Sequence, residues 1–372
     1  MNNAVLLERT TGIVLSGTHA WANSAFDSLM PRVLLPVAHR PLISYAISWF
    51  HRAGIRNTAV CGNRQTQLLR QLLANQVPDS MRVVYHEDPM PRGAAGCLRD
   101  AASASDADTF VVVDGTTIPN VDLEELLRRH QASGAVATVA VNAETRSNGN
   151  PGLQIPTGIY VFSRRALDLI PERGFCDIKE NLIPQLYRSG HQVLAYLTTG
   201  AIPRVFGAST YLAVNEWMIE QLVADHKELD GYVRVGTALV HRDAVVADDV
   251  VFIGPVLVSS GARIESRAVL VGPTSIGRDV KVHRGVLVAR SAVWRRSTIG
   301  AHAQIDRSIL SDDTVVAPRE HAFRSVKVGV TRRVPAPAAR PSVTHGLGQL
   351  QLQRKFGRGL LGAAWSRTPA AQ

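Results

Sequence analysis

Aliphatic residues recur every six positions in the C-terminal third of this 372-residue chain: Ile264, Leu270, Ile276, Val282 and Val288. After one five-residue step the series resumes at Val293, Ile299 and Ile305. Small or β-branched residues stand two places before the first five (Ala262, Ala268, Thr274, Val280, Val286), and Gly254, Gly272, Gly277 and Gly300 punctuate the turns. A period of six is too short for a helical repeat and is the mark of a hexapeptide parallel β-helix. Each coil buries its apolar edge only against its neighbours, so residues 229–323 are expected to form one solenoid domain.

Before that point the pattern alternates between strand and helix. Short β-branched runs at 12–17, 58–62, 82–85 and 109–114 read as strands. Amphipathic stretches at 41–53, 64–75 and 122–132 read as helices, the last with Asp122, Glu124 and Glu125 in its first turn, where the helix dipole favours acids. Strands separated by helices imply βαβ units, an α/β domain over 1–228, a mainly parallel sheet and a ligand site at the carboxyl ends of its strands.

The chain has 41 Lys and Arg against 31 Asp and Glu, a net charge of +10. Residues 324–372 hold nine of the basic residues and no acid, so residues 1–323 balance at 32 against 31. The pI therefore reports a basic Pro/Ala/Gly-rich tail and not a cationic active site. Leu350, Leu352, Phe356, Leu360 and Trp365 lie among its cations. Contact with an acidic partner or an anionic membrane surface and an ordinary solvated tail are both open for it. A 45 % apolar composition excludes wholesale disorder, and plentiful acids with few aromatics exclude a nucleic-acid-coating protein, so no specific nucleic-acid binding is expected. Cys61, Cys97 and Cys176 are too dispersed for a disulfide framework or a CxxC metal site. No basic-then-apolar leader opens the sequence and no run of about 18 apolar residues occurs, so a cytoplasmic location is expected.

Four segments resemble the sugar-1-phosphate nucleotidyltransferases, most closely the mannose-1-phosphate guanylyltransferase type. They are PRVLLPVAHRPLI from Pro31 to Ile43, EDPMPRGAAG from Glu87 to Gly96, FVVVDGTT from Phe110 to Thr117 and TGIYVF from Thr157 to Phe162. The resemblance implies a Rossmann-like nucleotidyltransferase domain followed by a left-handed parallel β-helix. It also implies attack of a sugar phosphate oxygen on the α-phosphorus of a nucleoside triphosphate, with pyrophosphate leaving. Catalysis of that kind is alignment plus neutralisation of phosphate charge, which the family achieves with a Gly-rich loop, an Arg, a Lys and Mg²⁺ held by two carboxylates.

Residue by residue, the resemblance assigns nucleotide contacts to Gly17, Glu87, Gly93 and Asp114, and sugar contacts to Gly158 and Glu180, the last offset by about one position. The family's Lys falls on Arg32. The Gly-rich loop aligns with Gly17-Thr18-His19-Ala20-Trp21-Ala22, which keeps only its first glycine and puts Ala22 at the phosphate-binding Arg. A phosphate nest needs bare amides at several positions. The metal carboxylates fall on Thr116 and on Val205 in the segment PRVFG, with no acid between 200 and 210 and Asp114 as an imperfect substitute. Only thirteen residues separate Asn142 from Pro156, too few for the family's lid. Plainer roles stand beside these: the glycines as turn formers, Arg32 as an ion-pair residue and Asp114 as a strand-end cap.

Three functions compete. One is a degenerate nucleotidyltransferase acting as a regulatory or assembly subunit in nucleotide-sugar or polysaccharide metabolism, with residual nucleotide or nucleotide-sugar binding and a protein partner or a second copy. Another is an active, Mg²⁺-dependent enzyme with relocated ligands Asp114, Arg32 and Glu87. The third is an acyltransferase working from His283 or His302 in the β-helix.

Overall fold

Thr10–Leu15 (β1) is apolar enough to be buried on both faces, and it is an interior strand, third in order, of a seven-stranded sheet. The other strands are Asn57–Gly62 (β2), Arg82–Glu87 (β3), Thr109–Asp114 (β4), Ala137–Ala143 (β5), Gln154–Ser163 (β6) and Val193–Leu197 (β7). Their order is β3-β2-β1-β4-β6-β5-β7; β3, β2, β1 and β4 run parallel, and β6 returns antiparallel to β4. The computed structural model describes residues 3–17, 25–62, 66–74, 76–88, 92–143, 154–225 and 229–329. The chain divides into two units, 1–142 with 156–330 and 143–155 with 331–372, and the first holds nearly all the secondary structure. Thr18 to Ala22 of the degenerate loop and the basic tail beyond 329 lie outside the described residues.

The helices follow the expected spans closely. Ile43–Arg52 (α1) buries Ile43, Ala46, Ile47 and Phe50, the i, i+3, i+4, i+7 stripe of a core-facing helix. Thr66–Leu73 (α2) and Gly93–Ser103 (α3) flank β2 and β3. In Leu123–Ser133 (α4), Asp122 is the N-cap, accepting the Glu125 amide, and Gly134 closes the helix. Among the described residues no helix is long and apolar enough to cross a membrane.

The C-terminal strands stack in three parallel sheets, the coils of a parallel β-helix. Arg263 pairs with Lys281, but Lys281 pairs with Thr298 and Thr298 with Val315, so the coil shortens from 18 residues to 17. The residue is lost at one corner: Val271 is four positions from Ser275, whereas their partners Ala289 and Ala292 are three apart. Gly272-Pro273 turns this corner in the longer coil, and Arg290-Ser291, Arg307-Ser308 and Arg324-Ser325 turn it in the shorter ones. The same corner produces a second five-residue step, Ile305 to Leu310, which the sequence reading did not separate out. The buried column thus continues through Val316 and Ala322, and the last strand is Val326–Lys327, beyond the expected limit at 323. Buried hydroxyls satisfy successive amides along the corner. Ser291 N donates to Thr274 Oγ1 (3.3 Å), Ser308 N to Ser291 Oγ (3.0 Å) and Ser325 N to Ser308 Oγ (3.1 Å).

Helix Ala208–Ala224 (α5) joins the β-helix to the α/β domain. It packs Tyr211, Val214, Met218 and Ile219 against outward-facing Leu239, Leu257, Ala292 and Ile309. The Tyr211 hydroxyl donates to Pro36 O (2.6 Å) and accepts from Trp294 Nε1 (2.8 Å). Asn215 accepts from Ala38 N (2.9 Å) and donates to Ser275 Oγ (3.2 Å). Tyr211→Phe leaves the Trp294 N–H buried without a partner and is expected to cost about 1–3 kcal/mol in denaturant unfolding. Tyr211→Phe with Trp294→Phe should cost less than the sum of the single changes, as measured by a double-mutant cycle.

Burial also holds His130, which bonds Thr138 at 2.8 Å, and His39 neutral, each lowered to about 4. The unfolded chain binds these protons near the ordinary value of about 6.5, so it holds more protons than the native state between those limits. Stability is expected to be level above about pH 6.5 and to fall as the pH drops toward about 4. His130→Gln should flatten that slope in unfolding midpoints measured across the range.

Candidate functional site

The carboxyl ends of the parallel strands gather Gly17, Gly62, Glu87 and Asp114 along one edge of the sheet. After β4 the chain turns at Gly115, whose amide bonds Leu15 O, and runs on through Thr116 and Thr117. Residues 203–205 pair with this segment: Ile118 N donates to Pro203 O and Val205 N to Thr116 O, both at 2.9 Å, with Thr117 bridged to Arg204. Alternation along an extended backbone then sends Val205 and Arg204 to opposite sides. Val205 is fully buried in the apolar cluster beneath α5. Arg204 emerges beside Asp114.

The resulting contacts are dense. Arg204 Nη2 donates to Asp114 Oδ2 and Nε to Thr116 Oγ1 (3.3 Å), while Asp114 Oδ1 accepts from Thr116 N (3.0 Å) and Thr116 Oγ1 (2.7 Å). The pair is mostly sheltered, with side chains 17 % and 28 % exposed, so solvent screens it less than a surface ion pair. The guanidinium lies over the exposed Phe206 ring, 4.8 Å from its centroid. Gly158 on β6 has φ +90°, and a Cβ there would come 3.1 Å from both Asp114 Cβ and Thr117 Oγ1. Its glycine is required by conformation and close approach together. Burial pushes the Tyr160 phenol up, and burial followed by the Arg204 charge holds the Lys179 ammonium down.

The structure brings Asp114, Thr116 and Gly158 together; the other sequence-predicted residues have separate partners. Arg32 bonds Asp27 Oδ1 through Nε (3.0 Å) and Nη2 (2.6 Å), although its short helical turn abuts the site through Val33 against Gly115. Glu87 accepts from Thr66 Oγ1 (2.7 Å). Gly93, at φ +76°, lets the chain meet the Cys176 carbonyl, which a Cβ would strike at 2.5 Å. That carbonyl accepts from Ala95 N and Gly96 N, so part of the α3 N-terminus is capped from within the chain. The bond also anchors the segment carrying Asp177, Lys179 and Glu180. Glu180 is exposed, and the Lys179 beside it lies within electrostatic range of Arg204, Asp114, Asp177 and Glu180. His283 bonds Glu265 (2.9 Å) at a β-helix corner, and the His302 ring packs over Gly285 at the same corner one coil on.

Arg204 is the residue that the sequence reading missed. The available signal was an isolated cation in an otherwise uncharged segment whose family counterpart bears an acid. What it pairs with, ninety positions away, emerges only from the strand register.

The resemblance implies a divalent metal, and the donor set here does not fit one. Mg²⁺ prefers octahedral oxygen ligands with carboxylate help. Asp114 spends both oxygens on Arg204 and Thr116, and the second carboxylate position is buried Val205. Among the described residues no group of three or more His, Cys, Asp or Glu is arranged to hold an ion.

A mainly parallel sheet is thus joined to a parallel β-helix. Residues 27–151 match the Nucleotidyl transferase domain model, and residues 252–326 match the GMPPB C-terminal domain. Together with the relatives that follow, these matches support a sugar-1-phosphate nucleotidyltransferase family for the chain. It is 24 % identical to a mannose-1-phosphate guanylyltransferase of Mycobacterium tuberculosis, covering 58 % of this chain and 70 % of the relative. It is 23 % identical to a probable mannose-1-phosphate guanylyltransferase 1 of Oryza sativa, covering 77 % of this chain and 87 % of the relative. It is also 26 % identical to the translation initiation factor eIF2B subunit epsilon of Schizosaccharomyces pombe, over 32 % of this chain and 18 % of that protein.

Gly158→Ala forces a non-glycine residue into a strained conformation against Asp114. It is expected to lower unfolding stability by about 1–3 kcal/mol, read from denaturant midpoints.

Proposed function

We propose that this protein is a catalytically degenerate nucleotidyltransferase that serves nucleotide-sugar metabolism in the cytoplasm as a regulatory or assembly subunit and keeps a binding site for a nucleotide or nucleotide sugar. The observation that carries the reading is the ion pair of Asp114 with Arg204. Nucleotidyl transfer with release of pyrophosphate needs positive charge that can follow the phosphates through the transition state. A guanidinium already committed to a carboxylate and a threonine, with a valine in place of the second acid, supplies little of it. Engagement of Arg32 by Asp27 and of Glu87 by Thr66 weakens the alternative of relocated catalytic ligands. The match to a relative named as a subunit supports the assembly role.

The test is direct. The purified protein is incubated with each of the four common nucleoside triphosphates, Mg²⁺ and a panel of sugar 1-phosphates, and pyrophosphate is measured. Release at the level of the sugar-free control is expected. Sugar-dependent release at enzymatic rates would overturn the proposal.

A further inference from the structure

We infer that Arg204 is a built-in cation standing where the family holds its divalent metal, so that this site takes the phosphoryl group of a small phosphorylated ligand without a metal ion. The inference rests on the family membership and on the non-catalytic reading above. It adds what the site binds and under what ionic conditions.

The argument begins with charge. Two carboxylates holding one divalent cation sum to zero, and so do Asp114 and Arg204. Both of the family's acid positions are lost, to Thr116 and Val205, and the neighbouring Asp114 and Arg204 pair instead, so the site keeps the net charge of the metal-loaded arrangement. Such a site needs no cation from solution, and both Asp114 oxygens are already engaged.

The second part is geometry. A guanidinium presents five N–H donors in a plane, well matched to phosphate oxygens. Arg204 spends donors on Asp114 and Thr116 through Nη2 and Nε, and among the described residues no hydrogen bond engages Nη1. That nitrogen lies 3.5 Å from where a Cβ on Gly158 would be, so it faces the gap that this glycine keeps open. The exposed Phe206 ring packs against the guanidinium face. An unengaged guanidinium nitrogen facing an open glycine at the end of β4 forms a receptor for one phosphoryl group.

Calorimetric titration with GDP, mannose 1-phosphate and inorganic phosphate, each with EDTA and again with millimolar Mg²⁺, tests this on the full chain. The three arms separate a nucleotide, a sugar phosphate and the bare anion. At least one arm is expected to bind with a dissociation constant that changes less than about twofold between EDTA and Mg²⁺. Arg204→Ala should weaken that binding about tenfold or more in EDTA, the scale of one charge-assisted hydrogen bond. Added Mn²⁺ should recover part of the loss by occupying the freed Asp114. Arg204→Lys, which keeps the charge and guards against a folding defect, should fall between wild type and Arg204→Ala. A tenfold or greater dependence on Mg²⁺ in the wild type, unchanged binding in Arg204→Ala, or no binding in any arm would overturn the inference. Pyrophosphate release separates the two claims. Turnover with metal-free binding would remove the non-catalytic reading alone, and metal-dependent binding without turnover would remove this inference alone.

Discussion

Two backbone hydrogen bonds, Ile118 N to Pro203 O and Val205 N to Thr116 O, pin residues 203–205 beside the end of β4. The rest of the architecture takes its position from that pairing. Upstream it completes the edge of the sheet where Gly17, Glu87 and Asp114 gather. Downstream it delivers the chain within three residues to the start of α5, whose first turn is fixed by the Thr210 hydroxyl accepting from the Phe206 and Gly207 amides. Because α5 then covers an outward face of the β-helix, one short bridge governs both the chemistry at the sheet and the docking of the solenoid.

The same pairing explains how a metal site can be rewritten without disturbing the fold. Neighbouring positions on extended backbone face opposite ways. An aliphatic residue at 205 strengthens the core beneath α5, and an arginine at 204 meets the carboxylate across the strand. Removing only one partner would leave a sheltered charge uncompensated, which typically costs several kcal/mol. The pair is therefore stable as a pair and expensive to dismantle one residue at a time.

Much of the fold was legible because it is periodic. Six-residue spacing needs no long-range knowledge, and the strand and helix spans came within a few residues of Ile43–Arg52, Thr66–Leu73 and Leu123–Ser133. The second five-residue step, at Ile305 to Leu310, was less visible. It is made at a corner where Arg307 and Ser308 stand in place of the Gly272-Pro273 of the longer coil, and the column shifts by one residue without changing character. The site was legible only as losses. Val205 and Thr116 announce missing acids by their identity, whereas Arg204 acquires meaning from a partner ninety residues earlier. Glu180 shows the same limit, since the resemblance pointed to it with an offset of about one position and gave no weight to the neighbouring Lys179, which lies within electrostatic range of Asp114 and Arg204.

The corner of the β-helix that changes length carries a consequence of another kind. Each hydroxyl there receives an amide from the next coil, 17 residues on, so the linkage repeats through every 17-residue coil. A chain built this way can gain or lose a whole coil in the middle of the stack and find the same hydroxyl waiting. A single-residue insertion is absorbed only at that corner, because the other two keep their lengths through every coil. Length variation among natural or designed versions of this solenoid should therefore be quantised, in whole turns or in single residues at one edge.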